Sequence, residues 1–549
     1  MQRGVEKANS HDKYEQNPRD NGNILEMGRH SESTDGKTDD GADKTIGKRT
    51  DVMAMHWTCS INCYKTAAEF AVTLLRFIPR VWFWSNFKLK GIQMDEKMPQ
   101  LPELPEIERH ELSNGMHVML CRQPWLHKVS VLLNVCAGCR DERLPGTAHL
   151  LEHLMFRGTK AHPSLRDLSE SFESHGADFN AYTAREVTSF DVSMPVSSVS
   201  PVMHLLGECM TSPKLTGITA ERDIIREEIL SDYDADGSLI NVEDLLVELF
   251  YGEAGKPIAG DPADLPNLSR QEVQAYYQSH YAASNMLLVM SGNIGKSSDV
   301  LPLLEASFGD LPSKASRWRR RDLPDMYRQS LSDETIGCQI APRLVVKKYD
   351  GATQSDVILG FLCGACTSHE FSVLEMLVRV LDDGMASRLS RRLVEELALV
   401  YDAESYLSVT QESTLMQIRL SCRHRRVSRL LEAVYGLLQE LGQNPVPREE
   451  LTKLRRRVIW EHIGLLDSSA SFAQWVSSMA LQQMPCQIDE RCRKLLEISA
   501  EEISNMARKL LSDKPHIVAI VGDLGEKAAT EIKETMTSLL DRQVDLQMI

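Results

Sequence analysis

Disulfide chemistry is nearly absent from this 549-residue sequence, whose twelve cysteines mostly sit singly inside apolar runs such as Leu120-Cys121 and Phe361-Leu362-Cys363. That excludes a disulfide-stapled secreted scaffold and fits a reducing compartment. An excess of positive charge is missing too. Lys and Arg number 62 against 78 Asp and Glu, a net charge of −16, so there is no general attraction to nucleic acid or anionic lipid, and no nucleic-acid partner is expected. Long uninterrupted hydrophobic runs are also lacking. Residues 66–87 come nearest, but Glu69, Arg76, Pro79 and Arg80 interrupt them, and these residues are costly in hydrocarbon. The segment suits an interfacial helix around Phe70–Trp84 or a packing segment better than a span, so contact at a membrane surface is the most it offers.

The first fifty residues have no apolar periodicity. They hold nine basic and ten acidic side chains and six glycines, a composition that cannot offset the entropy of folding, and a disordered extension is expected over 1–93. The start has neither the apolar core of a secretory signal nor the acid-poor character of a transit peptide, so a cytoplasmic location is expected. Familiar catalytic motifs are missing as well. There is no GxSxG elbow, and Gly292-Asn-Ile-Gly-Lys-Ser297 has two residues between its glycines where a phosphate loop has four.

Against these absences stands a duplication. The run Lys128–Cys139 resembles Ser355–Cys366, and matching Cys136 and Cys139 to Cys363 and Cys366 fixes an offset of 227 residues. A period of that length is a domain. Each half shows an apolar strand, a helical stretch and then further strands and helices, which predicts an α+β protein of two similar domains, 94–310 and 344–549. The connection, 311–343, is rich in Pro, Ser, Asp and Arg, as an exposed linker should be. A Ser113-Asn114-Gly115 turn between apolar stretches predicts a hairpin near the start of the first domain. The two CxxC pairs have the spacing of a four-thiolate zinc site or of redox pairs, although free cysteine commonly serves as a small buried hydrophobe.

The strongest chemical signal is His149-Leu-Leu-Glu-His153. Pro145-Gly146 breaks the preceding chain, Thr147 can cap a helix and Gly158 can close it. His149 and His153 are then i, i+4 neighbours able to share a metal, and Glu152 lies where it can reach a bound water. The spacing is that of the inverted zinc-protease motif HxxEH. Catalytic zinc usually has three protein ligands. In Thr219–Leu230, residues Glu221, Ile224, Ile225 and Glu228 fall on one stripe of a helix, and two carboxylates on an apolar stripe need a partner or a metal. Glu228 is the expected third ligand, Glu221 is placed to orient a ligating imidazole, and Glu227 points elsewhere and can remain solvated.

With these residues in view, the sequence resembles the pitrilysin (insulinase-like, M16) family of zinc peptidases, in particular the two-domain subfamily that includes the mitochondrial processing peptidase β subunit and bacterial homologues. The resemblance runs over about 107–545. It rests on the Asn114-Gly115 turn, Ala148–Thr159, Asn180-Ala-Tyr-Thr183, Glu221-Arg222 with Glu227-Glu228, Gly260, and Tyr277 through Gly292. It implies two homologous α/β-sandwich domains of the M16 type, one Zn2+ held by His149, His153 and Glu228, and Glu152 as catalytic base. It further implies that Phe179, Asn180, Ala181 and Tyr182 form an edge strand to which an extended peptide adds.

The 227-residue offset carries the ligand positions onto Met376, Arg379 and Val380, so only the first half is expected to bind metal. In the resembling family the second half contributes an Arg and a Tyr, seven residues apart, that help hold substrate and oxyanion. Tyr401 matches the Tyr, while Val394 stands where the Arg is expected, with Arg391 and Arg392 a turn away. The expected function is zinc-dependent endopeptidase action on extended or unfolded peptides inside a clamshell chamber, with a non-catalytic structural subunit as the alternative. The resemblance also implies a second chain of similar size. A partner carrying the Arg/Tyr pair would make a heterodimer, and an active homodimer is the competing arrangement. Removal of residues 1–93 is expected to leave the cooperative melt and the zinc content intact, as thermal unfolding and metal analysis of the truncated chain would record.

Overall fold

The computed structural model describes residues 98–313 and 342–549. The extension expected over 1–93, the segment 66–87 and most of the linker expected at 311–343 lie outside the described residues.

Two six-stranded sheets dominate the described chain. The first is built from β1 (Ile107–Glu111), β2 (His117–Arg122), β3 (Lys128–Val135), β4 (Asp178–Thr183), β5 (Thr188–Pro195) and β6 (Met286–Gly292), in the order β1-β2-β6-β3-β5-β4. The second contains β7 (Arg343–Lys348), β8 (Ser355–Gly364), β9 (Ala403–Val409), β10 (Thr414–Cys422), β11 (His516–Gly522) and β12 (Asp545–Met548), in the order β12-β7-β11-β8-β10-β9. Five strands correspond in order and sense, including the parallel pairs β2–β6 and β7–β11. Only the outermost strand differs. In the first sheet it is β1, joined to β2 as the expected antiparallel hairpin, with Gly115 at φ +88° in the turn. In the second it is β12, brought parallel to β7 from the end of the chain.

Each sheet has a helical layer from its own half on one face and receives a helix from the other half on the second face. Six helices matter here: α1 (Thr147–Met155), α2 (Ile218–Ile229), α3 (Val242–Tyr251), α4 (Ser368–Leu381), α5 (Arg448–Gly464) and α6 (Ser469–Leu481). Helix α6 lies on β3 and β6. Its Phe472, Ala473 and Val476 share one core with Met119, Cys121, Leu132, Leu287 and Val289 of the first sheet. Helix α3 lies on β8 and β11, setting Leu245 and Leu246 against Ile358, Leu362 and Ile517. Strands covered on both faces read as near-continuous apolar runs, which is why Val129–Val135 shows no alternation and is buried throughout. Polar contacts tie the halves further: Ser130 Oγ and Ser469 Oγ are 2.8 Å apart, and Gln123 and Trp125 both donate to the Leu466 carbonyl at 3.2 Å.

The seat of α3 demands a glycine. A Cβ on Gly360 of β8 would stand 2.7 Å from a Leu246 methyl and 2.8 Å from the Phe250 ring. Gly360→Val is therefore expected to destabilise the chain by about 1–3 kcal/mol through overpacking, although valine favours strands intrinsically. Denaturant unfolding checks this, and an unchanged midpoint would contradict the tight seating of α3.

Candidate metal centre

Helix α1 starts abruptly after Gly146, which adopts φ +85° and packs so closely on the Ala259 carbonyl that a Cβ would lie 2.8 Å from it. Thr147 does not cap the helix. It is already helical, with its hydroxyl donating to the Leu144 carbonyl at 2.7 Å, and the capping group is the Glu142 carboxylate, which accepts from the amides of Gly146 and Ala148 at 2.8 Å. A carboxylate at a helix N-terminus satisfies open amides and complements the helix dipole.

Two turns of α1 face α2. His149 Nε2 lies 3.8 Å from one Glu228 oxygen and His153 Nε2 lies 3.6 Å from the other, with the two rings nearly perpendicular and 4.7 Å apart at their centroids. One ligand atom from each of the three residues falls within 4.8 Å of the others, the only such grouping of three or more His, Cys, Asp or Glu among the described residues. His153 is oriented from behind: its Nδ1 is 3.1 Å from a Glu221 oxygen, leaving Nε2 turned toward the cluster. Arg157 lies against the other Glu221 oxygen. Glu221, Ile225 and Glu228 share the inward stripe of α2. Ile224, expected on that stripe, is instead exposed, because its position is rotated toward the solvent side of a narrow contact.

The electrostatics call for a cation. Burial, and secondly the adjacent His153, hold His149 well below the ordinary imidazole range. Burial also pushes the Glu228 carboxyl up to about 7; His153 opposes that rise, while Glu152 and Asp232 add to it. Glu228 Oε1 is buried with no hydrogen-bond partner. Burial thus disfavours charge on His149 and on Glu228, whose donor atoms converge with that of His153 on one point, and a divalent ion would relieve this. The donor set fits the three-ligand pattern of catalytic zinc, which keeps a fourth position open.

Glu152, on the same helix, is 5% exposed, and its Oε2 accepts a 2.6 Å hydrogen bond from Thr183 Oγ1. Thr183 ends β4, which pairs with β5 and forms one margin of the sheet. The side chains of β4 alternate. Phe179 packs on Phe156 and Phe172 at ring separations of 4.8 and 4.5 Å, and Ala181 is buried in the same core, so these two offer a bound chain only their backbone. Asn180 and Tyr182 point to the opposite face.

Comparison with known proteins agrees with this geometry. The family model described as insulinase (peptidase family M16) matches residues 117–260, and the model described as the peptidase M16 inactive domain matches 267–458. An uncharacterised zinc protease of Mycobacterium bovis is 26% identical over 76% of this chain and 94% of its own length. A Schizosaccharomyces pombe protein described as a probable mitochondrial-processing peptidase subunit beta is 24% identical over 77% of this chain and 92% of its own. A protease from Helicobacter pylori has the same fold, with a TM-score of 0.68 at 21% identity over 76% of this chain and all of that one. The chain belongs to the M16 family.

This M16 chain has no group of three possible metal ligands among the described residues of its second half. Met376 and Val380 of α4 are core residues, and Arg379, at the position equivalent to Glu152, is held by Glu461 of α5 at 2.6 Å, with Glu375 and Asp383 close by. Val394 packs against the core, and the nearby Arg391 and Arg392 pair with Glu396 of their own turn. Tyr401 is 97% exposed, a surface residue ahead of β9, which begins only at Ala403. The CxxC cysteines form no disulfide, burial pushes the thiols of Cys139 and Cys363 up to about 12, and Cys136 and Cys363 serve as small core residues. No helix among the described residues is long and apolar enough to cross a membrane.

Sequence reasoning passed over Thr183 and Glu142. Both act through contacts that local periodicity does not carry, although alternation from Phe179 would have put Thr183 on the helix-facing side. Glu221→Ala is expected to weaken zinc binding about 10–100-fold by releasing His153. Chelator competition measures this, and an unchanged affinity would remove Glu221 from the orienting role.

Proposed function

We propose that the chain is a zinc-dependent endopeptidase that hydrolyses extended or unfolded peptides and holds one zinc ion through His149, His153 and Glu228. One observation carries the reading: the two histidines of the His149–His153–Glu228 group share helix α1 with Glu152, whose carboxylate is tied to the end of edge strand β4. Zinc at this position supplies a Lewis acid that acidifies a water and polarises a peptide carbonyl. Glu152 takes the proton from the attacking water and delivers it to the leaving amide nitrogen. The Thr183 hydroxyl fixes the carboxylate for that transfer by donating to its Oε2. A peptide adding to β4 in extended form is read through its backbone, with Asn180 and Tyr182 on the open face, which suits broad side-chain tolerance.

The second half has no guanidinium at Val394, and Tyr401 projects from the surface. These features support a chamber completed by a second chain of similar size that carries the Arg/Tyr pair, and the description of one relative as a subunit is in keeping with this. A non-catalytic subunit is disfavoured, since both histidines, the base and the third carboxylate are all present.

Glu152→Gln is expected to retain zinc and lose activity by about 10²–10⁴-fold, the usual worth of a positioned base. Metal analysis and peptide hydrolysis on the same preparation test it; a zinc-free wild type, or an active Gln variant, would sink the assignment. The chain alone is expected to hydrolyse slowly and to gain rate when a partner with the Arg/Tyr pair is added. Light scattering with kinetics tests this, and a fully active homodimer indifferent to the partner refutes it.

A further inference from the structure

We propose that Glu412, in the turn between β9 and β10 of the second half, is a positioning residue for Glu152 and acts through Arg140. The inference rests on the peptidase reading above and adds to it a part for the inactive half.

Arg140 lies just ahead of α1, with only 4% of its side chain exposed. Its Nη1 donates to Glu186 at 2.7 Å and to Glu412 at 3.0 Å, one carboxylate from each half of the chain. The second Glu186 oxygen accepts the Gln411 amide at 3.0 Å, so the second half grips Glu186 directly as well as through Arg140. Glu186 belongs to the turn that joins β4 to β5, closed by the Ala184 amide donating to the Val187 carbonyl at 2.7 Å. The backbone of the same turn is held from the α1 side, where the amides of Cys139 and Arg140 donate to the carbonyls of Ala184 and Arg185 at 3.1 and 3.0 Å. Gly138 approaches that turn too closely for any Cβ. Thr183, which immediately precedes the turn, holds the Glu152 carboxylate.

The path therefore runs from Glu412 to Arg140 and Glu186, to the β4–β5 turn, to Thr183 and to the base. A buried guanidinium is stable only when well paired, and withdrawing one carboxylate weakens the hold on Arg140 and, through Glu186, on the turn. Displacements of about 1 Å in reacting groups can cost up to about 10²-fold in rate. Asn180 lies farther from the turn and is held by the β5 ladder, so the loss falls on kcat more than on KM.

The test compares Glu412→Ala, Glu412→Asp and Glu412→Gln with wild type in the full chain and any partner it needs, reading kcat, KM, zinc content and melting temperature. The expected result is a kcat loss on the order of 10-fold for Ala, with KM little changed and zinc fully bound. Gln, whose carbonyl oxygen reaches as far as the native carboxylate, should restore most of the rate. Asp, set back by one methylene, should not, and it reads the effect if the Ala variant does not fold. An Ala or Asp variant with wild-type kcat, or a Gln variant as slow as Ala, overturns the inference while the peptidase reading stands. A wild type with no zinc or no hydrolysis overturns both.

Discussion

The central strands of both sheets are buried on both faces, and each sheet must therefore be covered twice. The helices that follow a strand in its own half cover one face, and the second face is left for the other half. The chain meets this constraint by exchange: α6 closes the inner face of the first sheet and α3 that of the second. Full burial of a side chain such as Leu246 is worth about 1.5–3 kcal/mol, so two exchanged helices make separation of the halves costly. With the central strands covered on both faces, the sheet ends at its margin, and β4 is the last strand there, beside α1. A site that joins a metal group to a strand margin follows from where the packing leaves room.

What was legible in the sequence is what depends on local period. The i, i+4 imidazoles of α1, the Glu221/Glu228 face of α2, the Asn114-Gly115 hairpin and the 227-residue duplication all follow from spacings of a few residues or from direct self-similarity. What was not legible depends on the far side of a contact. Ile224 sits on the expected stripe by angle, yet the contact with α1 is too narrow to cover it. Thr147 has the chemistry of a cap, but Gly146 turns the chain so that Glu142 arrives first. The outermost strand of the second sheet comes from residues 545–548, far along the chain from β7, and no repeat pattern announces it.

Duplication placed the same helix pair in both halves, and the same electrostatic difficulty with it. Helices that bring carboxylates together in a dry interior need positive charge between them. In the first half the carboxylates are Glu221, met by His153 and Arg157, and Glu228, whose carboxyl is pushed up by burial. In the second half the charge is covalent. Arg379 stands at the position of Glu152 and bonds to Glu461 of α5, Arg457 of α5 holds Asp383 through two bonds at 2.6 and 2.9 Å, and Arg491 lies against Glu375. A guanidinium is always charged and satisfies carboxylates in a fixed fork, so it does the structural work of a metal ion without its chemistry.

That substitution also removes the carboxylate that Glu152 supplies in the first half. A carboxylate at the position of Arg379 would stand among Glu461, Glu375 and Asp383 without the guanidinium they share, so the first half's arrangement is not recovered there by one exchange. Freed from holding metal, the second half can serve the first in other ways. Its helix covers the inner face of the first sheet, its β9–β10 turn meets Arg140 and Glu186, and its Tyr401 is presented outward. The first two are contacts at a boundary, which is where the second half can bear on the proposed site of the first.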